Sequence, residues 1–493
     1  MEPSKHNHLR TRREFFRQAA CAAVGTLALK STIRDLRLIN AAMAAQGPVS
    51  GYKALVCLFL SGGNDSNNWI VPTDSTYADY SSIRGNLALP QSSLLPMRTG
   101  PNGGDPAYVD ADGHSYGFHP TCQELQTLFG EDKLAAIFNV GTLVRPITRA
   151  QYLANATGSR PPQLFSHSDQ VTQWQTSIPD QPPATGWGGR VADILNSVAN
   201  PGGNISMSVS LNGANTFEIG NLVSQYHVST SGAVTLSGNL MQSTVGSSAR
   251  SRALKDILAL NHTNLQRNAY ADVADRAIAT GDLLNASIGA TAEAAQGGTW
   301  VWNTAFPNTG LGNQLKMIAR IIQARGPAAF NMSRQIFFCS AGGYDTHTAQ
   351  VTFAPTLNTT TGSHANLLNE VSECLFAFQR AMEQLGVSNE VTTFTASDFS
   401  RTFPTNSQGS DHGWGAHHLI MGGAVKGGQT YGKLPAFAIN GPDDTGTGRW
   451  IPTLSVDQHS ATLAKWFGVD SSEMSNVFPN LSRFATSDLG FML

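Results

Sequence analysis

The apolar positions fall into short runs of strand length that alternate with stretches of helical period. Tyr52 to Leu60, YKALVCLFL, is continuously apolar and stops at SGGND; a run of that length with no polar alternation suits a strand buried on both faces. The helical pattern TCQELQTLFGED from Thr121 then precedes a second apolar run, KLAAIFNVG. Further on, LGNQLKMIARIIQARG spaces Leu315, Ile318, Ala319 and Ile322 at the helix period and leads into RQIFFCSAGGYDTH. The order returns in LLNEVSECLFAFQRAMEQLG followed by VTTFTASDFSRT. Helix alternating with apolar strand predicts an α/β fold, a mostly parallel central sheet with helices on both faces. Between about 200 and 300 the texture changes to ISMSVSL, QYHVSTSGAVTLSG and a polar helical stretch from Ser248 to Asn285, read as a β-ribbon and helical insertion. No Pro-rich or charged linker divides the chain, so residues 45–493 are expected to form one core domain carrying that insertion. There is no repeat of solenoid or propeller period.

The N-terminus stands apart from this pattern. TRREFFRQAACAAVGTLALK sets Arg12 and Arg13 before aromatic residues and a short apolar run, and resembles a bacterial twin-arginine (Tat) export signal. The apolar segment Ala19 to Leu29 is too short for a lasting membrane helix, and Ala42-Met43-Ala44 offers small residues for cleavage. The expectation is a partner in the Tat translocation machinery, a periplasmic or extracellular location, and no stable transmembrane segment in the mature chain. The first 44 residues hold eight of the 32 Lys/Arg and three of the 34 Asp/Glu, leaving 24 against 31 and a net charge near −7. With no basic cluster elsewhere, that balance argues against a nucleic-acid partner. Cys57, Cys122, Cys339 and Cys374 are widely scattered in apolar surroundings and read as buried free thiols rather than a disulfide framework.

Candidate chemistry comes from the strand ends. Asp65, Asp345 and Asp398 each follow an apolar strand, and ligands of open α/β sheets bind outside the carboxyl ends of the strands. A short loop beyond Asp398 lies GSDHGWGAHH, with Asp411, His412, His417 and His418 inside ten residues. Carboxylates and imidazoles gathered at one rim repel or stay unsatisfied unless a cation lies between them, and mixed O/N donors suit zinc or manganese better than calcium. Each residue also has a plainer reading: Asp65 capping a turn, Asp345 in an Asx-turn, Asp398 starting a helix. GGNDSNN lacks the Lys-Ser/Thr ending of a P-loop, and there is no GxSxG elbow. Trp174, Trp187 and Trp414 read either as core packing or as platforms for a sugar ring.

Taken together, LFLSGGNDSNNWIVP, YGFHPTCQELQTLF, NVGTLVRPITRAQY, QLFSHSDQ, GWGGRVAD, GGYDTHTAQ, SDFSRT, DHGWGAHHLIMGGAVKGG and GRWIPTLSVDQHSATLAKWFG resemble the DUF1501 family, distantly related to the alkaline phosphatase and sulfatase superfamily. That resemblance implies an alkaline-phosphatase-like sheet. It also implies metal ligands at Asp65, Asp345 and His347, and at Asp398, Asp411, His412 and one of His417 or His418. The chain departs from the phosphatase pattern at Asp398-Phe399, where Asp-His is expected. No cysteine stands in the CxPxR context of a formylglycine, so the hydroxyls to consider are Thr148 and Ser168, with Arg149, His167 and Arg401 as anion-holding or acid/base partners. The implied activity is metal-dependent hydrolysis of phosphate or sulfate esters, small or on a glycan. The alternative is a non-catalytic envelope or extracellular protein that binds glycans or a partner on a hydrolase-like scaffold.

Overall fold

The computed structural model describes residues 49–155, 157–182, 184–233, 249–260, 264–290 and 301–493; the export-signal reading of residues 1–44 lies outside them. Thirteen strands occur among them: β1 Lys53–Leu60, β2 Ile70–Pro72, β3 Leu95–Pro96, β4 Tyr116–Phe118, β5 Leu134–Gly141, β6 Ser208–Ser210, β7 Tyr226–Ser229, β8 Gly232–Ala233, β9 Arg334–Ala341, β10 Val391–Ser397, β11 Ala416–Met421, β12 Thr430–Tyr431 and β13 Leu454–Ser455. Ten of these form one sheet in the order β12-β5-β11-β10-β1-β9-β6-β7-β8, with β13 also paired to β5. β1 sits near its middle, parallel to both β9 and β10, which is why its apolar run is unbroken: it is covered on both faces and hydrogen-bonded on both edges.

The helices that matter to the packing are α1 Tyr77–Arg84, α2 Gln123–Gly130, α3 Arg149–Ala154, α4 His167–Thr176, α5 Trp187–Ala199, α6 Ala249–Leu258, α7 Leu265–Ala290, α8 Gly310–Gln323, α9 Ser363–Gln384 and α10 Val456–Phe467. α8 buries Leu311, Leu315, Ile318, Ala319 and Ile322 along one stripe, and the Thr309 side chain accepts from the Gly312 N–H to start it. It packs beside α9, which in turn packs on α2. On the other face of the sheet Trp187 of α5 meets Phe394 of β10, and Trp174 of α4 meets His418 of β11 and His459 of α10. The expected mixed α/β architecture with a mostly parallel central sheet and helices is thus present.

Three features differ from the pattern-based reading. β11 runs antiparallel to both β10 and β5, with a bulge between Ala416 and His418, so the His-rich loop enters the sheet as a reversed strand. Residues 70–118 contain a small antiparallel sheet, β2-β4-β3, whose short strands carry too few residues to show a period. ISMSVSL supplies β6, which pairs in parallel with β9 and so extends the central sheet; β7 and β8 form the antiparallel ribbon beyond it. Cys57, Cys122, Cys339 and Cys374 are free and buried. No helix among the described residues is long and apolar enough to cross a membrane.

Candidate metal centre

The rim at the carboxyl ends of β1, β9 and β10 is built by three loops and the first residue of α4. After β1, Gly62 turns at φ 117, and a Cβ there would lie 2.4 Å from the Asp345 amide nitrogen, so only glycine lets the loops after β1 and β9 touch. The loop after β10 doubles back as a narrow hairpin: Thr402 N–H donates to Asp411 O at 2.7 Å, Gly413 N–H donates to Ser400 O at 2.7 Å, and Arg401 bridges His412. That hairpin is what carries an Asp-His pair, remote from the strand in sequence, back to the strand end.

Three imidazoles and one carboxylate meet there. His167 Nε2, Asp345 and His412 offer ligand atoms within 4.8 Å of one another. Asp345 Oδ1 lies 3.5 Å from His167 Nε2, 3.3 Å from His412 Nε2 and 3.2 Å from His347 Nε2, and the two nitrogens His347 Nε2 and His412 Nε2 are 2.9 Å apart. Each ring is held by its other nitrogen: His167 Nδ1 by Asp398 Oδ2 at 2.7 Å, His347 Nδ1 by Asp411 Oδ1 at 2.9 Å, and His412 Nδ1 by the Phe165 carbonyl at 2.7 Å. A carbonyl only accepts, so His412 Nδ1 carries the proton and its Nε2 presents a lone pair; an ionised carboxylate imposes the same tautomer on the other two. His167 Nε2 is buried and has no hydrogen-bond partner among the described residues.

Donors about 2.1 Å from a tetrahedral zinc stand roughly 3.4 Å from one another, close to the separations of the three imidazoles from Asp345 Oδ1. The set whose ligand atoms all lie within 4.8 Å of one another is His167, Asp345 and His412, which must draw together on an ion, and His347 adjoins it through Asp345 and His412. Lone pairs aimed at one another and at a carboxylate are otherwise unfavourable, which is the same argument from charge. Asp345 remains ionised: burial pushes its carboxyl up, but the hydrogen bond and charge of Arg401, with His347 and His167, more than offset that and hold it below the ordinary carboxylate range. Arg401, whose side chain is fully buried, donates to Asp345 Oδ1 at 2.7 Å, to Gly62 O at 3.2 Å and to Ser410 O. His412 is pushed down by burial, with the Phe165 hydrogen bond acting against that and the Arg401 charge reinforcing it, so its neutral form is favoured. Asp411 is held down by Asn406 and His347 against the upward push of burial.

The remaining residues singled out in the sequence lie elsewhere or act differently. Asp398 and Asp411 do not face the shared space directly; they orient His167 and His347, and Asp398 Oδ1 also accepts from Gly62 N–H at 3.0 Å. Asp65 is not brought to the cluster: it is fully buried and paired with Arg84 and Gln350, and Asn67 Nδ2 donates to its other oxygen at 3.2 Å. His417 and His418 are buried in β11, where Asn139 N–H donates to His417 Nδ1 and the His418 ring packs on Trp174; burial pushes His417 down to about 3. Thr148 is the N-cap of α3, its hydroxyl accepting from Gln151 N–H in a capping box, and Ser168 is an exposed first-turn residue bonded to Ser166 and Asp169. Arg149 donates to Asn440 Oδ1 at 3.0 Å. Trp174, Trp187 and Trp414 are all core residues. Phe399, at the position where the phosphatase pattern expects His, is buried under the rings of His167 and His412, with centroids 4.8 and 4.7 Å away. The carbonyl of Phe165 had no signal in the sequence; its role arises from a backbone at φ 73.

A family model described as "Protein of unknown function (DUF1501)" matches residues 52–476. The chain belongs to the DUF1501 family. No curated protein matches it. Among solved structures, the crystal structure of Ps i-CgsB in complex with k-i-k-neocarrahexaose is similar over 89% of this DUF1501 chain and 75% of that chain, at 9% identity and a TM-score of 0.31.

Proposed function

We propose that this DUF1501 chain is an exported, metal-dependent hydrolase of phosphate or sulfate esters, built on an alkaline-phosphatase-like sheet. The observation that carries this reading is the approach of the Nε2 atoms of His167, His347 and His412 to Asp345 Oδ1, each ring fixed through Nδ1 by its own acceptor. In this reading zinc or manganese supplies Lewis acidity toward water and toward an ester oxygen. The chain's own residues do the rest. Asp398, Asp411 and the Phe165 carbonyl keep the proton on Nδ1, so that Nε2 stays basic toward the site. Arg401 balances the Asp345 charge from below, and Phe399 excludes water beneath the His167 and His412 rings. Thr148 is occupied as a helix cap and Ser168 is exposed, so in this reading a water serves as the nucleophile in place of either hydroxyl.

The test is metal analysis of purified protein, followed by assay with aryl phosphate, phosphodiester and aryl sulfate before and after chelation. Turnover that disappears on chelation and returns with zinc or manganese supports the reading; no turnover in a metal-replete protein defeats it. That Thr148 and Ser168 bond to no residue of the centre also favours a second reading, a metal-bearing scaffold that binds a glycan or a partner without catalysis. Stoichiometric metal with ligand binding and no turnover of any ester is its signature.

A further inference from the structure

Beside the centre, Tyr152 and Asn155 at the end of α3 and the segment Arg160 to Phe165 line an open cleft of about 460 Å³. Phe165 joins cleft to centre, since its carbonyl holds His412 and its segment leads directly into His167. Three half-buried arginines frame this region. The Arg160 guanidinium lies 4.6 Å over the Tyr152 ring, Arg449 lies 4.5 Å over the Phe165 ring, and Arg149 precedes Tyr152 in α3. The loop carrying Arg449 also carries Asn440, the partner of Arg149, and Asp444 ties the two ends together by accepting from the Asn440 and Arg449 N–H groups.

Arg84, Arg380, Arg401 and Arg483 each meet a carboxylate, and Arg190 and Arg334 spread their donors over several backbone carbonyls; Arg149, Arg160 and Arg449 have no carboxylate partner among the described residues and fewer acceptors. Arg149 spends one donor on Asn440 and Arg160 one on Asn155; Arg449 spends two, on His412 O at 2.6 Å and Thr447 Oγ1 at 2.9 Å. A guanidinium has five N–H groups, so most remain uncommitted, and Arg149 Nε is buried with no acceptor among the described residues. Arg160 lines the cleft itself, while Arg449 stands behind its Phe165 wall and Arg149 behind Tyr152; partly desolvating like charges this close to one opening is costly unless an anion completes them. Guanidinium is the group that grips sulfate and phosphate oxygens by paired donors.

We propose that the substrate carries several anionic groups, and that Arg149, Arg160 and Arg449 hold the sulfates or phosphates remote from the ester being cleaved. This rests on reading the neighbouring centre as an ester hydrolase, and it specifies the substrate class: a multiply sulfated or phosphorylated molecule rather than a simple monoester. Sulfate and phosphate share the chemistry, and the choice between them belongs to the experiment.

Binding is measured by calorimetry with dextran sulfate, inorganic polyphosphate and 4-nitrophenyl sulfate, on the wild-type chain, on His412→Ala, and on the double variant Arg149→Gln/Arg160→Gln. Arg449 is left intact because it supports His412. At least one polymer is expected to bind tighter than the monoester by about tenfold or more, and the double variant to lose about tenfold of that affinity at unchanged melting temperature. Whichever polymer binds tighter names the ester class. In His412→Ala, which leaves the arginines in place, the polymer is still expected to bind more tightly than the monoester, and that remaining affinity reports the arginines. If no ester is turned over while these binding results hold, the hydrolase reading fails and the anion subsite stands. Polymer binding unchanged in the double variant, or no tighter than the monoester, overturns the proposal. So does equally tight binding of a single-stranded oligonucleotide of matched charge.

Discussion

At the residue scale, the division of labour among the acidic side chains is the sharpest consequence of the geometry. Asp345 faces the shared space, whereas Asp398 and Asp411 act through His167 and His347. Asp345→Asn is therefore expected to abolish stoichiometric metal, while Asp398→Asn weakens metal affinity by roughly 10- to 100-fold without abolishing it, read by competition with a chelating dye. Equal effects of the two substitutions contradict the assignment. Asp65 follows different physics. Its carboxylate and the Arg84 guanidinium are both fully buried, so Arg84→Met strands a charge in the interior and is expected to cost about 3–5 kcal/mol in denaturant unfolding. Neither distinction was legible in the sequence. Asp65, Asp345 and Asp398 look alike there, each at the end of an apolar strand, and only the partner each side chain meets separates ion pair, ligand and orienting group. His167 was visible as a polar candidate, but not as a member of the centre, because its place depends on where α4 begins.

A second residue gives a pH dependence independent of the centre. Burial pushes Glu218 up to about 8, only partly offset by the hydrogen bond from Asn215. The unfolded chain releases this proton near the ordinary 4.5, so between these values the folded state holds the extra proton. Glu218's contribution to stability is thus fully present below about pH 4.5 and is lost as pH rises toward 8, by at most about 1.4 kcal/mol per unit. Glu218→Gln removes that loss. The variant should match the wild type near pH 5 and exceed it near pH 8 in urea unfolding; parallel profiles for the two proteins contradict this.

At the scale of elements, the central strands and amphipathic helices were readable because burial forces a period or an unbroken run. β1, β5, β9 and β10, and the helices α2, α8 and α9, follow from apolar spacing alone. The reversed direction of β11 was not readable, since pairing direction depends on the length and path of the preceding hairpin, not on the strand's own residues. The loops show how tightly the elements are set. With Gly62 closer to Asp345 than any Cβ allows, Gly62→Ala forces the loops after β1 and β9 apart. A loss of roughly 1–3 kcal/mol is expected, together with weaker metal binding because Asp345 moves with its backbone. Metal affinity unchanged at reduced stability separates the loop from the site.

For the whole molecule, the centre ties together segments from four parts of the chain: His167, Asp345 with His347, Asp398 with Arg401, and Asp411 with His412. An ion bound only by the folded arrangement adds its binding free energy to stability, about 2.7 kcal/mol at a hundred times its dissociation constant. Chelation should lower the melting temperature of the wild-type chain, and zinc or manganese should restore it; neither should affect a chain lacking the His412 and Asp345 side chains. The most direct measurement is elemental analysis of the purified, folded protein beside its His412→Ala variant. A stoichiometric divalent transition metal is expected in the wild type, and its loss in a variant that remains folded. A wild-type protein that takes up no such metal after incubation with zinc or manganese, or a variant that retains it in full, contradicts a metal centre at these residues.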